Sequence, residues 1–204
     1  MVTASEIIPI NASLCIWQAY DPTVKADLFS TAIVTANGLY LVDPIQLQDS
    51  ALHKIRGEHS VAGIIVTNAN HVRAALHFAG KFSAPILAHH ESFPNGVAAN
   101  FQSLGDNDRI GEELRVVSID GAVAGEIALY HSLNCETLIV GDALINFEPY
   151  GFAFLPSKYC TNQKIMRRSL RKLLALNVER MLFAHGTPII THAGQRLAQL
   201  LGPS

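Results

Sequence analysis

A strand–turn–helix–strand unit between residues 61 and 90 constrains the fold of this chain more than any other stretch. The apolar, β-branched run Val61–Val66 predicts a buried strand that ends in a polar turn. A helix is predicted to begin at His71, and a second short strand is predicted at Ile86–Ala88. Ligands of open α/β sheets bind at the carboxyl edge of the strands. We therefore expect Asn68, Asn70 and His71 at such an edge, where they either hold a metal ion or cap the helix.

Strand and helix patterns alternate in two blocks, and each block ends in helix–strand–helix. In the first block, Asn37-Gly38 predicts a hairpin turn, and Gly57 ends a predicted helix at residues 46–56. The second block has predicted strands at residues 114–119, 126–130, 137–140 and 180–184, a helix at residues 162–176, and a last helix capped by Thr191 and reaching Leu201. Loops are predicted at residues 91–112, with a short helix near residues 97–104, and at residues 146–158. This order predicts a single α/β (α+β) domain over residues 1–204, a four-layer αβ/βα sandwich of two mixed β-sheets with helices outside.

Composition excludes several classes of protein. With 204 residues, of which 49% are hydrophobic and 16% charged, the chain has ample apolar material for a core, and its formal charge of −2 gives no reason to expect nucleic acid as a partner. No apolar run approaches the ~20 residues of a membrane span, so no membrane is expected either. The first residues lack the charged start and apolar stretch of a signal peptide. Cys15, Cys135 and Cys160 stand far apart, which predicts reduced thiols in a cytoplasmic protein.

Two surface features suggest partners. The predicted helix at residues 162–176 has a basic face, which either binds phosphate or an acidic partner or is simply solvated. Its cations are Lys164, Arg167, Arg168, Arg171 and Lys172. The aromatic loop at residues 147–154 is a candidate contact in a homo-oligomer.

Three residues suited to metal binding each follow a predicted buried strand. His71 comes after Val61–Val66 and its polar turn, Asp142 comes after residues 138–140, and His185 comes after residues 181–183. Two imidazoles and one carboxylate are a common environment for zinc, iron or manganese. Each of the three could equally be structural, because a histidine beside a strand is often hydrogen-bonded and Gly-Asp is a common turn.

The segments around these residues resemble the metallo-β-lactamase-fold superfamily of metal-dependent hydrolases, over nearly the whole chain. The resemblance is clearest in LIVGDAL at residues 138–144 and RMLFAHGTPI at residues 180–189. The segments LYLVD at residues 39–43 and FSAPILAH at residues 82–89 match the usual framework of the family. This resemblance implies the αβ/βα fold and a metal-dependent active site.

The chain departs from the family's signature, Thr-His-x-His-x-Asp-His. Counted back through the helix, His71 falls on the last histidine of the signature and Asn70 on its aspartate, in a turn two residues shorter. A gapless match would instead place Arg73 on that histidine. The segment that carries the family's third histidine corresponds to residues 120–125, which contain none. The resemblance therefore implies one metal site made by His71, Asp142 and His185 and weakened at Asn70, or no metal at all.

The resemblance implies a hydrolase that uses one divalent metal, either zinc or else iron or manganese. It also implies a small-molecule substrate such as an ester, thioester or lactone. Asp142 is the candidate catalytic residue, either as a ligand or as the group that orients the attacking water. Asp43 either orients a histidine ligand or caps its own turn. At most one of His89 and His90 faces the cleft, because neighbours on a strand point to opposite faces. The alternative is a non-catalytic relative that binds a ligand or protein partner through the same cleft.

Overall fold

A computed structural model describes residues 2–96, 100–133 and 136–203 and divides into two compact units, Met1–Ser103 and Leu104–Ser204. The strands of unit 1 are β1 Thr3–Ala4, β2 Ile8–Asn11, β3 Leu14–Asp21, β4 Ala26–Thr35, β5 Gly38–Val42, β6 Gln46–Leu47, β7 Val61–Val66, β8 Ile86–Ala88 and β9 Phe101–Ser103. Its helices are α1 Asp49–Arg56 and α2 Ala75–Phe82, with 3-10 turns at Ala69–His71 and His90–Ser92. No helix in the described ranges is long and apolar enough to cross a membrane.

The main sheet of unit 1 brings three strand ends to one edge. Its order is β2-β3-β4-β5-β7-β8-β9, and β5, β7 and β8 are parallel neighbours. The predicted hairpin is confirmed by the pairing of β4 with β5. Gly38 closes that turn at φ 121°, and a Cβ there would lie 2.6 Å from the carbonyl oxygen of Ser60. Because the parallel strands end together, Asp43, Thr67 and His89 follow them at the same edge of the sheet.

The core of unit 1 packs both helices against this sheet. Trp17, Leu52 and Phe78 are among its buried side chains. The indole N–H of Trp17 donates to the carbonyl oxygen of Ile45 at 3.1 Å, so even this buried polar group has a partner. The core thereby fixes β5 and β7 relative to the helices, and with them the residues that follow each strand.

Unit 2 contains a second mixed sheet, with the order β10-β11-β12-β13-β16. The strands of unit 2 are β10 Arg109–Ile110, β11 Leu114–Ser118, β12 Ile127–His131, β13 Thr137–Val140, β14 Leu144–Phe147, β15 Gly151–Phe154 and β16 Arg180–Phe183, of which β14 and β15 form a separate two-stranded sheet. Its helices are α3 Gln163–Leu170 and α4 Ala193–Leu201, with 3-10 turns at Ser157–Tyr159 and Arg171–Ala175. Met166, Leu170 and Leu197 bury the helices against the sheet. Strands β13 and β16 are parallel and pair Val140 with Phe183, so the residues after both strands lie at one edge.

Several predicted elements differ from the structure. Gln46–Leu47 is a strand, so the first helix begins at Asp49. The residue before the last helix is His192 rather than Thr191, and its side chain makes no capping hydrogen bond. The predicted loop at residues 146–158 holds most of the hairpin β14–β15, which pairs Leu144 with Phe154 and turns at residues 148–150, just before Gly151 at φ 62°. Its aromatic residues favour a strand, and this preference outweighs the proline in the turn.

The predicted helix at residues 162–176 is also split. Asn162 caps α3 by accepting hydrogen bonds from the backbone N–H groups of Lys164 and Ile165. The helix then tightens into the 3-10 turn Arg171–Ala175, which rotates the buried face. Leu174, in this turn, is exposed, and so is Ile165, which lies within α3 itself. Of the predicted short helix near residues 97–104, residues 97–99 lie outside the described part of the chain, and Phe101–Ser103 is β9.

Three cations of the predicted basic face make contacts within unit 2. Arg171 donates to the backbone carbonyls of Leu201 and Gly202 at 2.9 and 3.3 Å. Lys172 lies 3.5 Å from a carboxylate oxygen of Asp106, and the guanidinium of Arg167 lies over the ring of Phe154. These contacts favour the interpretation of the helix as an ordinary solvated face rather than a site for an acidic partner.

Cys15 and Cys160 are free thiols, as predicted, and Cys135 lies outside the described residues. Burial raises the pKa of Cys15 to about 11, so this thiol is protonated and unreactive near neutral pH.

Candidate metal centre

The buried imidazole of His71 is held by a carboxylate. His71 lies at the end of the 3-10 turn Ala69–His71, and its Nδ1 is 2.9 Å from Oδ2 of Asp43 and 2.9 Å from Oγ1 of Thr67. Asp43 in turn accepts hydrogen bonds from the backbone N–H and the hydroxyl of Thr67, at 2.8 and 2.6 Å. Both Asp43 and His71 are 2% exposed, which shows that this network is part of the interior of unit 1.

The network fixes the tautomer of His71. An ionised carboxylate can only accept hydrogen bonds, so Nδ1 of His71 must carry the proton that it shares with Asp43. The lone pair of the neutral ring then lies on Nε2, which is the atom that a metal ion would use. A histidine ligand held through its other nitrogen by a carboxylate is the usual arrangement at metal sites. The structure therefore supports the interpretation of Asp43 as the residue that orients a histidine.

Asp43 stays ionised although it is buried. Burial alone raises the pKa of this carboxyl, but the positive charges of His71 and Arg73 and the hydrogen bonds from His71 and Thr67 outweigh it. The net result is a pKa below the ordinary value of an aspartate. The carboxylate is thus available as a permanent acceptor for Nδ1 of His71.

The backbone around Asp43 is strained and held in place by side chains. Asp43 has φ 48°, a left-handed conformation that only glycine, asparagine and aspartate adopt readily. Its carbonyl oxygen accepts hydrogen bonds from the hydroxyl of Ser30 at 2.7 Å and from the guanidinium of Arg73 at 3.0 Å. Arg73 thus has a structural role, which favours the alignment that places the last signature histidine on His71.

The other candidate polar residues of unit 1 differ in burial and in hydrogen bonding. Asn68 is buried, and its side chain caps the turn by accepting from the backbone N–H of Asn70 at 2.9 Å. Asn70 itself is exposed. His89 is partly buried and accepts from the backbone N–H of Glu91 through Nδ1 at 3.3 Å, whereas His90 is exposed.

Asp142 and His185 lie together in unit 2. Oδ1 of Asp142 is 3.3 Å from Nε2 of His185, and the side chains are 8% and 18% exposed. The backbone N–H of Ala184 donates to the carbonyl oxygen of Val140 at 3.1 Å, which extends the pairing of β13 and β16 towards this pair. The structure thus brings two of the predicted ligands together. The prediction that His71 and Asn70, which belong to unit 1, bind the same ion stays a prediction.

The loop of His185 is fastened to the start of the aromatic hairpin. The backbone N–H of Asn146 donates to the carbonyl of His185 at 3.2 Å, and the backbone N–H of Thr187 donates to the carbonyl of Asn146 at 2.9 Å. Gly186 lies between these bonds at φ 110°, and a Cβ there would be only 2.1 Å from the carbonyl oxygen of Asn146. Glycine is therefore required at residue 186 by both its conformation and the close approach of the backbone.

The donor set fits a divalent metal. Two ligand atoms at the usual distances from a tetrahedral zinc ion are about 3.3–3.6 Å apart. The separation of 3.3 Å between Asp142 Oδ1 and His185 Nε2 falls in this range. With the tautomer of His71 set by Asp43, each of the three residues can offer a lone pair of the right kind.

Sequence patterns missed Thr67, Glu126 and Asn146 as supports of these residues. Glu126 is buried, and its Oε1 accepts from the backbone N–H of Ala143, next to Asp142, at 3.0 Å. Thr67 could have been inferred from its place directly after a strand. Glu126 and Asn146 gave no comparable signal, because their partners are far away in the sequence.

Comparisons with known proteins agree on one family. The model of the metallo-beta-lactamase superfamily matches residues 10–203. No curated protein sequence matches the chain significantly. Among solved structures, DIM-1 metallo-beta-lactamase is 12% identical with a TM-score of 0.77, covering 96% of this chain and 96% of its own. Metallo-beta-lactamase IND-7 is 17% identical with a TM-score of 0.71, covering 96% of this chain and 97% of its own.

A metallo-beta-lactamase from Hirschia baltica is 13% identical with a TM-score of 0.73, and the match covers 100% of both chains. These likenesses show a shared fold and confirm the fold class predicted from the sequence. The family model extends over both units, from the second strand to the last helix. The chain therefore belongs to the metallo-beta-lactamase superfamily.

Proposed function

We propose that this protein is a hydrolase with a single divalent metal site, in which His71, Asp142 and His185 are the ligands. Together these residues offer two imidazole nitrogens and one carboxylate oxygen. The observation that carries the proposal is the pairing of His71 with Asp43, because it leaves Nε2 as the basic nitrogen of a buried histidine in a chain of this family. Zinc suits this donor set best, with iron or manganese as alternatives.

The roles of the residues follow from their chemistry. A divalent ion in this site would polarise the substrate carbonyl and make water more acidic. Asp142 supplies the negative charge of the set and, since a carboxylate has two oxygens, can bind the ion through one and orient the attacking water through the other. Asp43 holds the proton of His71 on Nδ1 and keeps the ring correctly turned. The substrate class we propose is a small ester, thioester or lactone, whose carbonyl carbon such a water attacks.

Metal content tests this proposal directly. Protein purified without an affinity tag or added metal should contain about one ion per chain by elemental analysis, because a three-ligand site is sufficient to hold zinc. The His185→Ala variant should lose the ion, and ester or thioester hydrolysis should disappear with it. His192→Ala is the matched control, since His192 is largely exposed and its nearest acidic group is 4.0 Å away. Wild-type protein that takes up no zinc even when zinc is added would favour the non-catalytic alternative.

Asn70 is proposed to weaken the site because its amide is a neutral oxygen donor where the family has a carboxylate. The Asn70→Asp variant should therefore bind zinc about tenfold or more tightly than the wild type, since an anionic ligand attracts the ion more strongly. Isothermal titration or competition with a chromogenic chelator would measure the change. Asn37→Asp, in the exposed β4–β5 turn, adds the same charge elsewhere in unit 1 and controls for net charge. Equal affinity in Asn70→Asp and the control would argue against Asn70 as a ligand position.

A further inference from the structure

Glu126 is a buried carboxylate that contacts the turn carrying Asp142. Glu126 lies immediately before β12 and is 3% exposed. Its Oε1 accepts a hydrogen bond from the backbone N–H of Ala143, at 3.0 Å, and Ala143 directly follows Asp142. A carboxylate is costly to bury, and a hydrogen bond from the backbone to a charged acceptor is among the stronger ones.

The backbone of Glu126 is held so that its side chain reaches this turn. Its N–H donates to the carbonyl of Val123 at 3.2 Å, and its own carbonyl accepts from the N–H of Ile119 at 2.9 Å. Gly125 precedes it at φ 71°, a conformation that allows the tight turn into β12. Glu126 is therefore presented by a fixed turn of the same sheet whose strand β13 leads to Asp142.

The carboxylates of Glu126 and Asp142 act on the same part of unit 2. Burial raises the pKa of the Cys160 thiol, and the negative charges of Glu126 and Asp142 raise it further. The Cys160 thiol lies within 3.7 Å of the sulfur of Met166, at the edge of the core.

We propose that Glu126 is a positioning residue of the metal centre. By binding the N–H of Ala143 it fixes the turn at residues 141–143, and through this turn it keeps the carboxylate of Asp142 beside Nε2 of His185. The consequence for metal binding rests on the function proposed above, whereas the effect on the turn does not. In this role Glu126 supports the turn that carries a proposed ligand and does not itself bind the metal ion.

The test compares Glu126→Ala with Glu126→Gln. The alanine variant removes the acceptor of the Ala143 N–H, and the glutamine variant restores an oxygen acceptor without the charge. Glu113→Gln is the matched control, because it removes the charge of another glutamate of unit 2, one that pairs with His131, the last residue of β12, at 3.1 Å. Three quantities are measured in each variant: zinc affinity, the melting temperature of the chelator-treated protein, and amide hydrogen exchange at Ala143.

We expect Glu126→Ala to bind zinc about 10–100-fold more weakly, which is the usual loss when a residue supporting a ligand is removed. Its Ala143 amide should exchange at least about tenfold faster, because a hydrogen bond worth about 1.4 kcal/mol is lost. Glu126→Gln should recover a large part of both effects. Glu113→Gln should leave zinc affinity and exchange at Ala143 as in the wild type, whatever its melting temperature.

Two results would overturn the proposal. Unchanged exchange at Ala143 in Glu126→Ala would show that Glu126 does not hold the turn. Faster exchange with unchanged zinc affinity would show that the turn does not position Asp142, and that Glu126 is only structural.

If the wild type binds no zinc, the proposed function fails. In that case exchange at Ala143, together with the Asp142–His185 separation in a crystal structure of Glu126→Ala, decides the positioning role. Should Glu126→Ala not fold, the same comparisons apply to Glu126→Leu, which also lacks a side-chain acceptor but fills more of the space of the glutamate side chain.

Discussion

Replacing Asp43 by asparagine is expected to lower zinc affinity about 10–100-fold while the fold persists. The asparagine oxygen can still accept from the backbone N–H of Thr67, but its amide nitrogen now faces Nδ1 of His71 as a donor. His71 must then carry its proton on Nε2, the atom that the metal needs, and this is the wrong tautomer for a ligand. Titration with zinc and the nitrogen chemical shifts of His71 measure the two effects separately.

The control for this variant is Asp49→Asn. Asp49 is an exposed carboxylate that pairs with Lys81 in unit 1, so its loss removes one negative charge without touching His71. Asp43→Asn should lower the free energy of unfolding by about 1–3 kcal/mol, because buried groups lose a charged partner. Asp49→Asn should leave it nearly unchanged, since an exposed ion pair contributes little to stability. If the Asp43→Asn variant bound zinc as tightly as the wild type and kept the His71 proton on Nδ1, this role of Asp43 would be refuted.

The largest loss of stability is expected for Gly186→Ala. A left-handed backbone costs an alanine about 1–2 kcal/mol, and overpacking typically costs about 1–3 kcal/mol more. The added Cβ would lie 2.1 Å from the carbonyl oxygen of Asn146, so the backbone must move and the Thr187–Asn146 hydrogen bond must break. A total near 3 kcal/mol corresponds to a fall in melting temperature of about 6–12 °C for a chain of this size.

Gly151→Ala separates the two contributions. Gly151 also has a positive φ, 62°, but a Cβ there meets nothing within 4 Å, so only the conformational cost applies. Thermal unfolding should therefore show a clearly smaller loss for Gly151→Ala than for Gly186→Ala. The variant at residue 186 should also bind zinc more weakly, because His185 shares its loop. Equal melting temperatures in the two variants would mean that the loop and the hairpin separate without cost.

The sequence predicted those parts of the fold whose signals are local. Val61–Val66 and Ile86–Ala88 were predicted residue for residue, because β-branched and apolar runs between turn residues leave little choice. The hairpin β14–β15 was missed because Pro149 and Gly151 are typical of loops, whereas Pro149 lies in the turn of this hairpin and Gly151 is the first residue of β15. The exposure of Leu174 depends on where α3 changes to a 3-10 turn, which no periodic pattern indicates.

The same distinction applies to the candidate site. His71, Asp142 and His185 were found because each is a polar residue just after an apolar strand. The role of Asp43 was one of two open interpretations, since Asp43 and His71 are 28 positions apart in the sequence and are brought together by the parallel pairing of β5 with β7. Glu126 and Ala143 are likewise brought together by the antiparallel pairing of β12 with β13. Contacts that depend on sheet pairing over such distances cannot be derived from local patterns.

The bonds between Asn146 and the loop at residues 185–187 have a consequence for protein engineering. Since both carbonyl–amide bonds come from the main chain of Asn146, they do not depend on which side chains the hairpin carries beyond it. The exposed tip at Glu148, Pro149 and Tyr150 can thus be diversified in a library without redesigning the loop. Such a library would leave Asn146 and Gly186 unchanged, because the hydrogen bonds to the loop and the close approach of the backbone depend on them.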